Sequence, residues 1–362
     1  MILLIYEVFI LFVFAAVLAL DINSARGGRQ GDGIYTGKKR YAPRVLVILP
    51  AKGRDLHQND NFLSLKKQDY GNYDLVAVVD SMDDPAAKTA RRLGILTFVA
   101  RGKCSACSGK NRAIAYALRR FKDYDVYVIA DSDVNAKRDW LSKLIAPLSN
   151  PGTGISTTFP TFIPVDRGLW SYVKMLWGLV GKSLMSSRLT RFGWGGSLAF
   201  KRDIADEKLL YMLTRSRYAV SDDISITRRV KEMGLSIAYV KDAEPVVYVK
   251  ETKESFVEWA NRQTALTLLG YKNNLYIGVA YYSAELLLFA SGIIMPFTVN
   301  PVFAVLLLHF VISEYKAFMR SPIRPPVLFL VAMAMPALYL YNLLKASSMK
   351  NITWRGRSYT VK

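Results

Sequence analysis

Apolar residues along this chain fall into two kinds of segment. At both ends they form long runs. Residues 1–20, MILLIYEVFILFVFAAVLAL, carry a single charge, Glu7, and about 20 apolar residues are enough to span a bilayer. Three more runs cover about 275–297, 301–318 and 326–344. Between the ends the pattern shortens and alternates. RVLVILPAK (44–52) reads as a buried strand ending at Pro50, because its β-branched and apolar residues are continuous. DNFLSLKKQDY reads as a helix with Phe62, Leu63 and Leu65 toward a core, and YDLVAVVDS as the next strand. DDPAAKTARRLG has a helix's punctuation: Asp83 or Asp84 to cap it, Pro85 to open it and Gly94 to close it. ILTFVA is a strand, GKNRAIAYALRRF a helix and YDVYVIADSD a strand. Such alternation predicts an α/β domain with a mostly parallel sheet and helices on both faces.

The chain therefore divides into an N-terminal membrane anchor (1–20), a basic linker (21–41), an α/β domain (42–272), membrane segments (273–344) and a basic tail (345–362). The first run lacks the basic start of a secretory signal. Arg26, Arg29, Lys38, Lys39, Arg40 and Arg44 follow it, which puts the α/β domain in the cytoplasm by the positive-inside rule. The turn PFTVNP is uncharged, whereas EYKAFMRSPIRPP carries Lys316, Arg320 and Arg324. A hairpin out and back fits both. A third crossing would leave the basic tail outside, against the charge rule. Pro336 interrupts that third run, so a re-entrant or interfacial path stays open beside a full crossing.

Composition sharpens this. Lys plus Arg number 49 against 29 Asp plus Glu, a formal charge of +20. Charge alone suggests an anionic partner such as nucleic acid, an acidic membrane surface or a phosphorylated substrate. With basic residues flanking apolar runs, anionic lipid accounts for it without nucleic acid. Two cysteines, Cys104 and Cys107 in ARGKCSACSGKNRA, form no disulfide framework. The histidines are His57 and His309, the latter in an apolar run, which argues against a zinc site or a serine triad. Residues 167–192 intersperse Trp170, Met175, Leu176, Trp177 and Leu179 with Lys174, Lys182 and Arg188. This reads as an interfacial amphipathic helix, or as a core helix of the domain.

Ligands bind beyond the carboxyl ends of strands in such sheets. Lys52, Asp80, Asp131 and Asp133 fall at those ends. In an extended segment Asp131 and Asp133 would point to the same side, and oxygen ligands suit Mg2+ or Mn2+. Asp222 and Asp223 open a helix over 224–233, where acids suit the helix dipole. Trp259, Arg262 and Gln263 lie within about one helical turn. GWGGS (193–197) reads as a flexible glycine turn, with Trp194, Gly195 and Gly196 able to wall an acceptor site.

In this order the pieces resemble a family-2-type glycosyltransferase of the GT-A fold, a Rossmann-like nucleotide-diphospho-sugar transferase fold. The ceramide-glucosyltransferase-like branch, family 21, is the nearest pattern. The resemblance covers roughly 44–265 and the tail. LPAKGRD…NFLSLKKQDYGNYDLVAVVDSMDDPA resembles that branch's P-x-K-G-x-D, S-L-x-x-Q-x-Y and D-x-x-D-D-P-A elements. It implies donor-binding roles for Pro50, Lys52, Asp80 and Asp84, with Asp80 on the nucleotide base. It gives Asp131 and Asp133 to the metal and the diphosphate, and Asp223 the part of general base. Asp222, Trp259 and Gln263 would then face the acceptor. The family's Q/R-x-x-R-W is only partly present, with Arg262 in place and Gln263 where Trp is expected. SGKNRAIAYAL resembles a G-K element and puts Lys110 beside the donor, whereas WRGRSY (354–359) resembles the basic-aromatic tail of membrane-bound members.

The activity so implied is inverting transfer of a sugar from a nucleotide sugar, first of all a UDP-hexose, to the hydroxyl of a membrane lipid. Lys52, Lys110 and Arg262 are the candidate cations for the diphosphate. Charging of a polyprenyl phosphate and extension of a polysaccharide remain alternatives. So does a non-catalytic membrane protein that keeps the fold.

Overall fold

The structure is a computed structural model and describes residues 2–27, 41–102, 104, 107–188 and 190–361. Much of the expected linker, including Lys38 and Lys39, lies outside the described residues. The helices in chain order are α1 (Ile2–Gly27), α2 (Gln58–Lys66), α3 (Pro85–Arg92), α4 (Gly109–Arg120), α5 (Trp140–Ile145), α6 (Leu169–Ser186), α7 (Glu207–Thr214), α8 (Asp222–Glu232), α9 (Lys253–Gly270), α10 (Asn273–Thr298), α11 (Leu308–Arg320) and α12 (Val327–Ser348). The strands are β1 (Val45–Pro50), β2 (Tyr73–Val79), β3 (Leu96–Val99), β4 (Val126–Ala130), β5 (Val134–Asn135), β6 (Thr153–Thr157), β7 (Thr161–Pro164), β8 (Ser197–Lys201), β9 (Ser236–Tyr239), β10 (Val246–Val249), β11 (Asn351–Trp354) and β12 (Arg357–Thr360).

The chain forms two compact units. One comprises Gly31–Ile163, Leu184–Val249 and Asn351–Lys362. Its seven-stranded sheet runs β3-β2-β1-β4-β8-β6-β9. The expected parallel half is there: β1 pairs parallel with β2 and β4, and β2 with β3. β8 departs from that expectation, lying antiparallel between β4 and β6. Both faces of the sheet are covered: β1, β4 and β6 are buried at every residue. Leu46, Ile48, Ile129, Leu198 and Phe200 meet Ile114 and Leu118 of α4 and Leu209 and Leu213 of α7 in one core. The α3 punctuation is as expected: Asp84 accepts from the N–H of Ala86 at 2.8 Å, Pro85 stands first, and Gly94 has φ +65°. In α2, Phe62 and Leu65 are fully buried, while Leu63 is only half-buried.

The other unit comprises Met1–Gln30, Pro164–Ser183 and Lys250–Lys350. It takes most of α6 and all of α9 out of the span 42–272 expected for the sheet domain. Within it, Ile10 and Val17 of α1 pack with Leu288 and Met295 of α10. The Lys174 ammonium pairs with Glu251 at 2.5 Å and lies 4.6 Å from the Trp259 ring centre. Val173, Met175 and Leu176 are buried beside it, so this part of α6 packs within the helical unit. Asn273–Thr298, Pro301–Arg320 and Val327–Ser348 are long and apolar enough to cross a membrane, whereas the apolar part of α1, Leu3–Ala19, is shorter. α12 continues through Pro336.

The segment Lys250–Lys350 leaves the sheet unit at Val249 and the chain rejoins it at Asn351. A sheet unit that lies on one side of a membrane predicts an even number of crossings in between. Single cysteines placed at exposed Ser236 and Ser358 in a Cys104→Ser/Cys107→Ser background should react with a membrane-impermeant maleimide from the same side. Labelling from opposite sides would refute this path.

Candidate active site

The site is assembled at the carboxyl ends of β1, β2 and β4. α4 starts where Ser108 caps it, accepting from the N–H of Asn111 at 3.1 Å, and this puts Lys110 in its first turn. Asp131 directly follows β4, and Asp222 opens α8 behind its cap, Ser221. The three meet: the Nζ of Lys110 lies 2.7 Å from Oδ1 of Asp131 and 3.1 Å from Oδ2 of Asp222, and donates to the carbonyl of Gly195 at 3.1 Å. The side chains of Lys110 and Asp222 are only 11% and 7% exposed, against 32% for Asp131. Burial alone would lower the ammonium's pKa, but Asp131 and Asp222 outweigh it and hold the group well above its ordinary value. Burial raises the carboxyl of Asp131, and Lys110 opposes that rise.

Asp223 sits beside this pair. Its Oδ1 accepts from the Ser221 hydroxyl and, at 2.9 Å, from the N–H of Ile224. Burial first, then the neighbouring Asp222, push its carboxyl up to about 6. A carboxylate tuned near neutrality suits proton transfer.

The glycines of GWGGS serve close approach rather than flexibility. A Cβ on Gly195 would meet Oδ2 of Asp222 at 2.2 Å and the Nζ of Lys110 at 2.9 Å, and one on Gly196 would meet the Trp194 ring at 2.2 Å. The Gly196 carbonyl accepts from the N–H of Asp131 at 3.1 Å, and the Trp194 N–H donates to the Thr157 hydroxyl at 3.0 Å.

Asp131-Ser132-Asp133 is not extended. It forms a turn between β4 and β5, with the N–H of Val134 donating to the Asp131 carbonyl at 3.2 Å. The alternation argument for convergence of the two carboxylates therefore does not hold. Among the described residues no three acids, histidines or cysteines gather as a metal cage. A hard carboxylate such as Asp131 at the rim still fits Mg2+ or Mn2+, which commonly takes one or two carboxylates and completes its shell with phosphate oxygens and water.

A second cluster surrounds Asp80. Its Oδ1 accepts from Arg112, and its Oδ2 lies 3.4 Å from Lys52 and 3.2 Å from Arg357. Burial would raise this carboxyl, but Arg112, Arg357 and Lys52 together hold it below its ordinary value. Asp84 has a local task, since the same oxygen that caps α3 accepts from the N–H of Gly53 at 2.8 Å. Pro50 ends β1 just before this loop. Trp259, Arg262 and Gln263 lie on α9, in the helical unit, whereas the acids belong to the sheet unit.

Sequence reasoning passed over Asp55, Arg112, Arg355 and Arg357. Asp55 accepts from the Ser132 hydroxyl and pairs with Arg355 at 2.7 Å. The signal was within the quoted motifs, as the last residue of P-x-K-G-x-D and the arginines of GKNR and WRGR. Cys104 and Cys107, expected to form no disulfide framework, are joined to each other in a disulfide. Their Cα atoms lie 5.6 Å apart, within ordinary disulfide reach.

Residues 8–362 match the family model of glycosyl transferase family 21. The chain belongs to that family. It is thus a glycosyltransferase, and its sheet unit has the GT-A fold. A mannosyltransferase from Pyrobaculum calidifontis, solved with GDP-Man and Mn2+, is 17% identical, with a TM-score of 0.53 over 92% of this chain and 94% of that one. Glucosyl-3-phosphoglycerate synthase from Mycobacterium tuberculosis, solved with Mn2+ and UDP-Glc, is 16% identical, with a TM-score of 0.41 over 63% of this chain and 79% of that one. No curated protein matches the chain in sequence.

The fit around Gly195 gives a direct test. Gly195→Ala should cost about 1–3 kcal/mol of stability by overpacking and reduce sugar transfer at least tenfold. The Cys104→Ser/Cys107→Ser variant should keep transfer near the wild-type rate. Thermal unfolding and transfer rates are the readouts. An alanine variant with wild-type midpoint and rate would show that the close approach is not needed.

Proposed function

We propose that this enzyme transfers one hexose from a nucleoside-diphosphate sugar to a hydroxyl of a membrane lipid, on the cytoplasmic face and with inversion at the anomeric carbon. The observation that carries this reading is the cluster of Lys110, Asp131, Asp222 and Asp223 at one sheet edge. Among the described residues three apolar helices have membrane-spanning length, which supports a lipid acceptor. GDP-Man and Mn2+ in the complex of the mannosyltransferase support such a donor and a divalent metal here.

In this mechanism Asp131 and Asp133 would hold Mg2+ or Mn2+. Bound there, the ion supplies Lewis-acid stabilisation of the leaving diphosphate. Lys110 fixes Asp131 and Asp222 against each other, and Asp80 receives the nucleotide end of the donor. The acceptor hydroxyl attacks the anomeric carbon from the face opposite the diphosphate. Asp223 takes its proton as the bond to the leaving group breaks. Trp194, with Gly195 and Gly196 behind it, lines the acceptor side.

The ionised form of Asp223 is the one that accepts a proton. With its carboxyl pushed up to about 6, transfer should fall as pH drops through about 6 and level off above it. Asp223→Asn should lose transfer to a hydroxyl by at least about a hundredfold, the scale of general-base assistance. A lipid phosphate is already ionised and would need little of that help. The experiment is to incubate membranes containing the enzyme with labelled UDP- and GDP-hexoses and extract the lipids. Label in a base-stable lipid that disappears with Asp131→Ala supports the reading. Label in no lipid, or undiminished transfer by Asp223→Asn to a lipid phosphate, would replace it.

A further inference from the structure

The last strands, β11 and β12, form an antiparallel hairpin with Trp354 opposite Arg357. Its two turn residues, Arg355 and Gly356, have φ of +50° and +77°, the signature of a two-residue hairpin turn that favours glycine. The hairpin belongs to the sheet unit, and its turn meets the loop after β1. The Nζ of Lys52 donates to the Arg355 carbonyl at 3.2 Å, and Arg355 donates back to the Lys52 carbonyl and, at 2.7 Å, to Oδ1 of Asp55. Arg357 reaches Oδ2 of Asp80 at 3.2 Å, and its Nη1 is 3.7 Å from where a Cβ on Gly109 would stand, at the start of α4.

Charge accounting makes this more than a clip. One arginine would suffice to hold a tail on one acid. Here Lys52, Arg112 and Arg357 crowd on Asp80, and Arg355 pairs with Asp55. With Asp84, which accepts from the N–H of Gly53 next to Lys52, four cations face three carboxylates, an excess of one positive charge. Lys52 and Arg357 are 38% and 41% exposed, so the excess is open to a ligand. The Nε–H of Arg112 is buried without an acceptor among the described residues. Mutual repulsion of such cations is relieved by an anion, and guanidinium groups match phosphate oxygens in pairs.

We propose that the C-terminal hairpin is part of the donor site, with Arg357, Lys52 and Arg112 binding the diphosphate of the nucleotide sugar. This rests on the donor reading above. A nucleoside diphosphate brings enough negative charge to offset the excess. Arg357 then shifts from Asp80 to a phosphate oxygen, and Arg355 keeps the turn docked on Asp55 and Lys52.

The test uses the full-length protein in detergent micelles and labelled UDP and GDP, by equilibrium dialysis with EDTA present so that no metal contributes. Arg357→Ala should weaken binding of the preferred nucleotide at least tenfold, and Arg357→Lys should recover part of the loss. Hydrogen exchange of segment 351–360 in the unaltered protein should slow on adding that nucleotide, a readout independent of whether the variants fold. Equal or tighter binding by Arg357→Ala overturns the proposal, the tighter case making the hairpin a plug. Unchanged exchange, or slowing by phosphatidate micelles but not by UDP or GDP, also overturns it. An unaltered protein that binds neither nucleotide, with or without Mn2+, removes the donor reading as well, so the two failures are distinct.

Discussion

A buried ammonium holds this site together. Lys110 comes from the start of α4, Asp131 from the end of β4 and Asp222 from the start of α8, and their contacts are 2.7 and 3.1 Å. A buried charge without partners is costly, and removing one member of such a group leaves the others uncompensated. One positive charge between two acids, with Asp223 adjacent, leaves this corner net negative. The cluster around Asp80 is net positive. A rim divided in this way is suited to a diphosphate on one side and the divalent ion that accompanies it on the other.

The other local features follow from that contact. Gly195 has no side chain because Oδ2 of Asp222 and the Nζ of Lys110 occupy its Cβ position. Its carbonyl then completes the ammonium's shell. Ser108 and Ser221 cap the two helices that deliver Lys110 and Asp222, so each acid or base arrives in a first turn where its direction is fixed. The same geometry raises the Asp223 carboxyl, because burial and a neighbouring carboxylate both disfavour its ionised form.

Local chemistry was legible in the sequence and distant pairing was not. The β1, β2 and β4 strands and the Asp84-Pro85…Gly94 punctuation of α3 could be read directly, since each depends on residues close in the chain. The acids at strand ends followed from the α/β pattern. Five things were hidden for physical reasons. The short SLAFK run of β8 does not disclose direction, and its antiparallel place between β4 and β6 has no local signal. Asp131-Ser132-Asp133 continues an apolar strand without a glycine or proline to announce its turn. GWGGS has the composition of a flexible loop, and only Asp222 and the Trp194 ring reveal why its glycines are needed. Arg357 and Asp80 are 277 residues apart, and no local signal joins them. The same holds for the membership of α6 and α9 in the helical unit, which depends on contacts such as Lys174 with Glu251.

The central claim is that Lys110 and Asp222 stabilise one another as a buried pair. A double-mutant cycle with Lys110→Met and Asp222→Asn measures this, using unfolding free energies in detergent. Each single change should cost about 3–5 kcal/mol, as expected when one partner of a buried pair is removed. The double variant should cost clearly less than the sum, because the Asp222 charge is no longer stranded when Lys110 is removed, while the loss at Asp131 is common to the Lys110 single variant and the double. Additive costs, or single variants as stable as the unaltered enzyme, would contradict the account.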